Sequence, residues 1–130
     1  MSEEEELIRR GYEAWNRGDW VAMEELLAPD FEIDATDRVL NPDTYEGIDG
    51  FRRLARELGE IWDRWDIEPI EFVQYRERVF VAHCVRARGK SSGVEVVQTY
   101  WSVWTVRDGK GVKLSLYVER GRALAAAGRV

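Results

Sequence analysis

The beginning of the chain carries the pattern that most constrains its fold. Apolar residues recur at helical spacing over residues 7–15, and Gly18 is placed to end that helix. Asp19 is a suitable N-cap for a second, short helix. Pro29 blocks any continuation of the second helix. The pattern therefore predicts a helix pair that leads directly into a strand.

The rest of the sequence predicts one more long helix and a series of strands. Residues 36–47 are predicted as a loop and residues 48–63 as the third helix. Pro69 indicates an edge strand or a bulge, and an Ala-rich helix is predicted over residues 122–127. The predicted strands cover residues 31–35, 65–75, 79–88, 94–106 and 112–119. This order indicates an α+β fold with helices on one face of a curved sheet.

Length, charge and cysteine content restrict the class of protein. A chain of 130 residues is expected to form a single domain, residues 1–130. The net charge of −6 argues against nucleic acid as a partner, and no apolar run is long enough to predict a membrane span. Cys84 is the only cysteine, so neither an intrachain disulfide nor a thiolate metal site is expected. No signal peptide is visible, which favours a cytoplasmic location.

Several short motifs together resemble a known family. They are Arg17-Gly-Asp-Trp20, Ala28-Pro-Asp-Phe31, Tyr45-Glu-Gly-Ile48, Val103-Trp-Thr-Val-Arg-Asp-Gly-Lys110 and Tyr117-Val-Glu-Arg120. Over nearly the whole chain, the sequence resembles the SnoaL-like polyketide cyclase group of the nuclear transport factor 2-like superfamily. The resemblance implies a cone-shaped, mixed or antiparallel sheet with about three N-terminal helices on its concave face. It also implies a cavity between the two layers, and dimers formed through the convex face.

The resemblance further implies which side chains face the cavity, because alternate residues of a strand share a face. His83, the only histidine, is placed on the cavity side of its strand. The inward sets are predicted to be Val79, Val81, His83, Val85 and Ala87; Gln98, Tyr100, Ser102, Trp104 and Val106; and Lys113, Ser115, Tyr117 and Glu119.

His83 and Tyr100 are the predicted catalytic pair. Histidine exchanges a proton near neutral pH, and a tyrosine hydroxyl can donate to a developing oxyanion. Asp34 is a third candidate if a bulge turns it inward. The alternative interpretation is a buried histidine that is hydrogen-bonded by Gln98, Tyr100 or a water molecule.

One well-known chemistry of the superfamily is not predicted. Ketosteroid isomerase uses a general-base Asp, with a Tyr and a protonated Asp as oxyanion donors. In an alignment on the family motifs, these three roles fall on Ala35, Gly11 and Ser102. Asp34 and Tyr12 each lie one residue away from the required position.

Aromatic and polar side chains are predicted to form the ligand-binding wall. The alternative for Trp62 is simple core packing, since it lies on a helical stripe. Tyr45, in the loop before the third helix, is a candidate lid residue. The predicted ligand-binding residues are Trp15, Tyr45, Trp62, Gln98, Ser102, Trp104 and Tyr117.

These features lead to an expected function and an expected assembly. The sequence favours a cofactor-independent isomerase, cyclase or dehydratase that acts on an apolar, cyclic small molecule without a metal. The alternative is a non-catalytic binding or dimerisation module of the same fold. A homodimer is predicted through an apolar, outward sheet face. That face comprises Phe80, Ala82, Cys84, Val97, Trp101 and Val103.

Overall fold

The computed structural model describes residues 2–38 and 42–129. The helical elements are α1 (Glu3–Asn16), α2 (Trp20–Glu25), α3 (Gly47–Ile61) and α4 (Arg120–Leu124), the last followed by a wide helical turn, Ala125–Arg129. The strands are β1 (Leu27–Asp34), β2 (Thr44–Glu46), β3 (Trp62–Tyr75), β4 (Arg78–Gly89), β5 (Glu95–Arg107) and β6 (Lys110–Tyr117). The predicted α+β class is confirmed.

Local capping contacts set the ends of the first two helices. Ser2 and Glu5 fit the capping-box pattern, and the Oγ atom of Ser2 accepts a 3.1 Å hydrogen bond from the Glu5 amide. Gly18 follows α1 with a φ of +70°, a conformation that favours glycine. The Asp19 carboxylate accepts a 3.1 Å bond from the Ala22 amide at the start of α2. The predicted helix pair is therefore confirmed.

The strands form one curved, mixed sheet. Their order is β2-β1-β6-β5-β4-β3; β1 is parallel to β6, and the other described neighbours are antiparallel. β2 lies within the predicted loop 36–47, so that prediction missed a short strand that pairs Tyr45 with Ile33. The predicted third helix also extended too far, because the backbone is already extended at Trp62.

Pro69 lies where the sequence predicted an edge or a bulge. β3 is an edge strand, and its pairing with β4 shifts between Pro69 and Glu71. Pro69 itself is opposite His83. A proline is tolerated here because an edge strand has one side without ladder hydrogen bonds.

The last strand has a different register from the one predicted. Val106 pairs with Gly111, whereas Thr105 pairs with Lys113. β6 therefore contains one extra residue beside the hairpin, Val112. Because side chains alternate along a strand, one extra residue exchanges the two faces of everything that follows it.

The extra residue changes which side chains of β6 reach the core. Leu114 lies opposite Trp104, and Leu116 lies opposite Ser102, so the two leucines face inward. Lys113, Ser115 and Tyr117 were predicted to face inward, and their strand positions are instead on the other face. Glu119 lies beyond the strand, as the N-cap of α4.

The main core lies between the helices and the concave face of the sheet. Its buried members come mainly from α1 to α3 and from β1, β2, β4 and β5, and partly buried side chains of β3 and β6 pack against them. The larger buried members are Ile8, Tyr12, Met23, Phe31, Ile33, Tyr45, Phe51, Leu54, Val79, Val81 and Trp104.

A second, smaller core lies on the convex face of the sheet. The C-terminal segment covers it, because Ala123 and Ala127 pack onto Phe80, Ala82 and Val103. All five residues are buried. The predicted apolar patch is therefore largely covered by the protein's own C-terminal segment.

The part of that patch not covered by the C-terminal segment is formed by Val97, Cys84 and Trp101. Val97 is 58% exposed, and Cys84 and Trp101 are half-buried. The exposed part of the convex face is thus smaller than the sequence indicated.

Candidate functional site

A cavity of about 490 Å³ lies between the concave face of the sheet and the helices. Its size is within the range of small-molecule pockets, roughly 300–1,000 Å³. Most of its wall is apolar. The apolar lining residues are Trp15, Met23, Phe31, Ile33, Phe51, Leu54, Leu58, Trp65, Ile67, Val85, Trp104, Leu114, Leu116 and Val118. The polar ones are Tyr12, Arg38, His83, Gln98, Thr99, Tyr100 and Tyr117.

His83 contributes the imidazole of this cavity. β4 places it between Tyr100 of β5 and Pro69 of β3, and the residue is only 5% exposed. None of the described residues forms a hydrogen bond with either ring nitrogen. Burial lowers the pKa of His83 to about 4, because an apolar surrounding disfavours the charged ring. The side chain is therefore neutral at pH 7, with one nitrogen able to donate and the other able to accept.

Tyr12 places a hydroxyl group in the same cavity. Its Oη atom accepts a 2.9 Å hydrogen bond from Trp104 Nε1 and lies 3.3 Å from Ser102 Oγ. The centres of the Tyr12 and His83 rings are 5.8 Å apart. Burial raises the pKa of Tyr12, so the hydroxyl keeps its proton at neutral pH. Its proton is available to Ser102 or to a bound molecule.

Tyr100 lies further along the cavity wall. Its ring centre is 6.4 Å from that of His83, and its ring stacks on Trp65 at the same separation. The Tyr100 hydroxyl donates a 2.6 Å hydrogen bond to Gln98 Oε1. Gln98 and Tyr100 are thus hydrogen-bonded to each other, and neither forms a hydrogen bond with His83. The alternative interpretation, in which Gln98 or Tyr100 is hydrogen-bonded to a buried His83, is therefore not met by these two residues.

Arg38 brings a cationic group to the cavity, and Tyr45 holds it. Arg38 Nη2 donates a 2.8 Å hydrogen bond to Tyr45 Oη, which in turn donates 2.7 Å to Glu57 Oε1. The guanidinium of Arg53 lies 4.1 Å from the centre of the Tyr45 ring. Tyr45 is fully buried behind the wall and does not line the cavity.

The sequence comparison identifies the family. A model of the SnoaL-like domain matches residues 8–114, well over half of the chain. This chain belongs to the SnoaL-like family. No curated protein matches its sequence significantly.

Solved structures share this SnoaL-like fold. An NTF2-like protein of unknown function from Burkholderia pseudomallei K96243 is 22% identical, with a TM-score of 0.80 over 98% of this chain and 99% of that one. TerC co-crystallised with polyporic acid is 19% identical, with a TM-score of 0.80 over 97% and 98%. A protein named as a polyketide cyclase, from Xanthomonas campestris pv. campestris, is 22% identical, with a TM-score of 0.79 over 97% of each chain. At these identities the likeness establishes the fold alone.

The SnoaL-like cavity contains most of the residues predicted from the sequence, but not all. His83, Tyr100, Trp15, Gln98, Trp104 and Tyr117 all line it. Tyr117 does so although its strand position faces the other way. Ser102 is fully buried beneath the wall, where it contacts Tyr12.

Asp34 and Trp62 lie elsewhere in the fold. Asp34 pairs with Ser115 on the opposite face of the sheet and accepts two hydrogen bonds from Thr36. These bonds lower the pKa of Asp34. Trp62 packs on Trp65 outside the lining. The bulge that would have turned Asp34 inward is not present at that residue.

Tyr12, Arg38 and Thr99 are the polar lining residues that the sequence did not predict. Tyr12 was considered only as one residue out of place, yet it lies on the apolar stripe of α1 and so had to face the sheet. It is Tyr12, and not Gly11, that reaches Ser102. Arg38 follows a short strand in a segment predicted as loop, where no periodicity indicates a direction.

Two further properties of this SnoaL-like protein concern metals and membranes. Within residues 2–38 and 42–129, no group of three or more His, Cys, Asp or Glu side chains is arranged to hold a metal ion. In the same part of the chain, every helix is too short or too polar to cross a bilayer.

Proposed function

We propose that this protein binds an apolar, cyclic small molecule and catalyses cofactor-independent acid–base chemistry on it. The observation that carries the proposal is His83, a buried and neutral imidazole in an apolar cavity, whose ring nitrogens have no hydrogen-bond partner among residues 2–38 and 42–129. A buried polar group without a partner costs stability, so its retention points to a ligand or a reaction. The reaction class is isomerisation, aldol-type cyclisation or dehydration.

The chemistry needs one proton acceptor and one oxyanion donor. The free nitrogen of His83 would remove a proton from a carbon next to a carbonyl group, and the C–H electron pair would move onto the carbonyl oxygen. The hydroxyl of Tyr12 or Tyr100 would donate a hydrogen bond to that oxygen. Return of the proton from His83 to a different carbon gives an isomer. In the cyclisation, the enolate attacks a second carbonyl carbon, that C=O becomes an alkoxide, and the protonated imidazole returns its proton to the alkoxide oxygen.

A deuterium-exchange experiment tests this without knowledge of the natural substrate. The probe is 2-tetralone, a bicyclic ketone with acidic C–H bonds, in D2O at neutral pH. We expect the wild-type protein to accelerate deuterium incorporation, followed by NMR, above the buffer rate. His83→Phe should return the rate to the buffer level. Cys84→Ala, the next residue of the same strand on the opposite face, is the matched control and should keep the wild-type rate.

The second candidate function is ligand binding without chemistry. A nitrogen with a pKa of about 4 is a weak base, and this favours a hydrogen-bonding role over proton removal. Two of the similar structures are named as complexes with a small molecule. They are TerC co-crystallised with polyporic acid, and a protein of ketosteroid isomerase-like fold from Catenulispora acidiphila in complex with trimethylamine. Binding of 2-tetralone to wild-type protein with no exchange above buffer would select this candidate.

We also propose that two copies associate through the open part of the convex face. Val97 is exposed there beside half-buried Trp101 and Cys84, and apolar surface in water favours association. Val97→Lys should convert a dimer to a monomer in sedimentation velocity. A monomeric wild-type protein at micromolar concentration would contradict the proposal.

A further inference from the structure

Arg38 is the only charged side chain among the described residues that line the cavity. The rest of the wall is apolar, apart from neutral hydroxyl, amide and imidazole groups. We propose that Arg38 is the specificity-determining residue of this cavity and that it selects an apolar, cyclic ligand that carries one carboxylate or a similar anionic group. The inference rests on the proposed function, because it requires the cavity to hold a small molecule.

Neighbouring side chains fix the position of the guanidinium. Tyr45, fully buried behind the wall, accepts the 2.8 Å hydrogen bond from Arg38 Nη2. Glu57 accepts the hydroxyl proton of Tyr45 at 2.7 Å, so the oxygen lone pairs of Tyr45 remain directed at Arg38. Arg53 lies against the Tyr45 ring and contacts Glu57 at 3.2 Å. A guanidinium held in this way loses less conformational freedom when it binds a ligand.

The chemistry of the guanidinium determines the class of ligand. Its planar set of N–H donors matches the two oxygens of a carboxylate, and such charge-assisted bonds are stronger than neutral ones. The apolar wall strengthens the attraction further, because the local dielectric is lower than in water. We expect an acid to bind roughly ten- to a hundredfold more tightly than its neutral isostere.

The two ends of the cavity have different chemical roles. His83 lies on β4, and Arg38 follows β1, which is three strands away in the sheet. An anion at Arg38 therefore leaves the neutral imidazole free to meet the other end of the same ligand.

The test compares 2-naphthoate with 2-naphthamide, which have the same ring system with and without the charge. Binding is measured by isothermal titration calorimetry at pH 7.5, where the acid is ionised. The variant is Arg38→Met, with Arg38→Lys as a charge-retaining variant. Arg107→Met is the matched control, because Arg107 is an exposed hairpin residue paired with Glu77. A thermal unfolding curve is recorded for each protein.

Each outcome supports or overturns the inference. We expect the wild-type and Arg107→Met proteins to prefer the acid, Arg38→Lys to keep part of the preference, and Arg38→Met to bind both probes equally. Equal binding of the two probes by wild-type protein, or a preference that survives in Arg38→Met, overturns the inference while the pocket itself stands. Failure of wild-type protein to bind either probe overturns both this inference and the proposed function. If Arg38→Met does not fold, the wild-type and Arg38→Lys preferences still decide the matter.

Discussion

The indole Nε1 of Trp104 donates a 2.9 Å hydrogen bond to the hydroxyl oxygen of Tyr12, so the first helix and the fifth strand meet at a polar contact inside an apolar core. Trp104 has a single N–H donor, and Tyr12 is its acceptor. Ser102 lies 3.3 Å from the same hydroxyl. The contact both joins two layers of the fold and directs the tyrosine proton.

Removal of that hydroxyl should therefore destabilise the protein. We expect Tyr12→Phe to lower the free energy of unfolding by about 1–3 kcal/mol, because the Trp104 N–H is then buried without an acceptor. Ser102→Ala should cost less, since it removes only the longer contact. Urea denaturation at pH 7 measures both, and equal stability of Tyr12→Phe and wild type would refute the prediction. Tyr12→Phe should also slow deuterium exchange into 2-tetralone.

His83 should make the protein less stable in mild acid. Its pKa is about 4 in the folded state and about 6.5 when unfolded, so the unfolded chain binds the extra proton between these values. The stability associated with the neutral ring is complete above pH 6.5 and is lost as the pH falls toward 4. The loss from this one residue is about 3 kcal/mol.

A variant without the imidazole isolates that contribution. We expect His83→Phe to lose less stability than wild type between pH 7 and pH 4, in parallel urea titrations. Cys84→Ala, on the other face of the same strand, should follow the wild-type curve. Parallel curves for His83→Phe and wild type would mean that the ring has the same pKa in the folded and unfolded states, which would contradict the prediction.

Two glycines of α3 should respond in opposite ways to the same substitution. A Cβ atom at Gly50 would lie 2.8 Å from the backbone carbonyl carbon of Tyr45, which cannot move aside as a side-chain end does. A Cβ atom at Gly59 meets nothing within 4 Å. Gly50→Ala should therefore destabilise the protein by about 1–3 kcal/mol, whereas Gly59→Ala should stabilise it by about 0.5–1 kcal/mol. Thermal unfolding compares the pair, and a rise in Tm for Gly50→Ala would be the contrary result.

The C-terminal segment should tolerate charge on one side only. Ala123 is buried against the convex core, and Ala125 is exposed. Ala123→Asp should cost about 3 kcal/mol, because it buries a carboxylate without a partner. Ala125→Asp should change stability by less than about 0.5 kcal/mol. Similar Tm values for the two variants would show that the segment does not cover the sheet in solution.

Much of the fold was predictable because its signals are local. Gly18, Asp19 and Pro69 act through backbone conformation or capping within a few residues, and the structure confirms each prediction. β2 was missed because three residues are too few to show a period. The faces of β6 were wrong because Val112 adds one residue to the strand, and nothing in the local pattern distinguishes a bulge from a regular pair.

In the candidate site, the sequence predicted residues correctly where side chains alternate regularly along a strand. His83 and Tyr100 were placed on the cavity side, where the structure also has them, and their catalytic roles remain predictions. The apolar stripe of α1 indicates that Tyr12 faces the sheet, but its contact with Ser102 depends on packing between distant segments. Arg38 depends on the Tyr45 contact across the β1–β2 connection. Such contacts join residues that are far apart in the sequence or separated by a loop, and the spacing of residues does not predict them.

The extra residue in β6 has a consequence for how such pockets diversify. A chain that lacked Val112 would turn the two leucines of β6 outward and present Lys113 and Ser115 to the ligand instead. Deletion of a single codon near the hairpin would thus replace an apolar part of the cavity wall with one that carries an ammonium and a hydroxyl group. No lining residue would need to be substituted. Loss of affinity for 2-naphthamide in the deletion variant would report that change. Insertions and deletions near hairpins are therefore as important as point changes when the ligands of related proteins are compared.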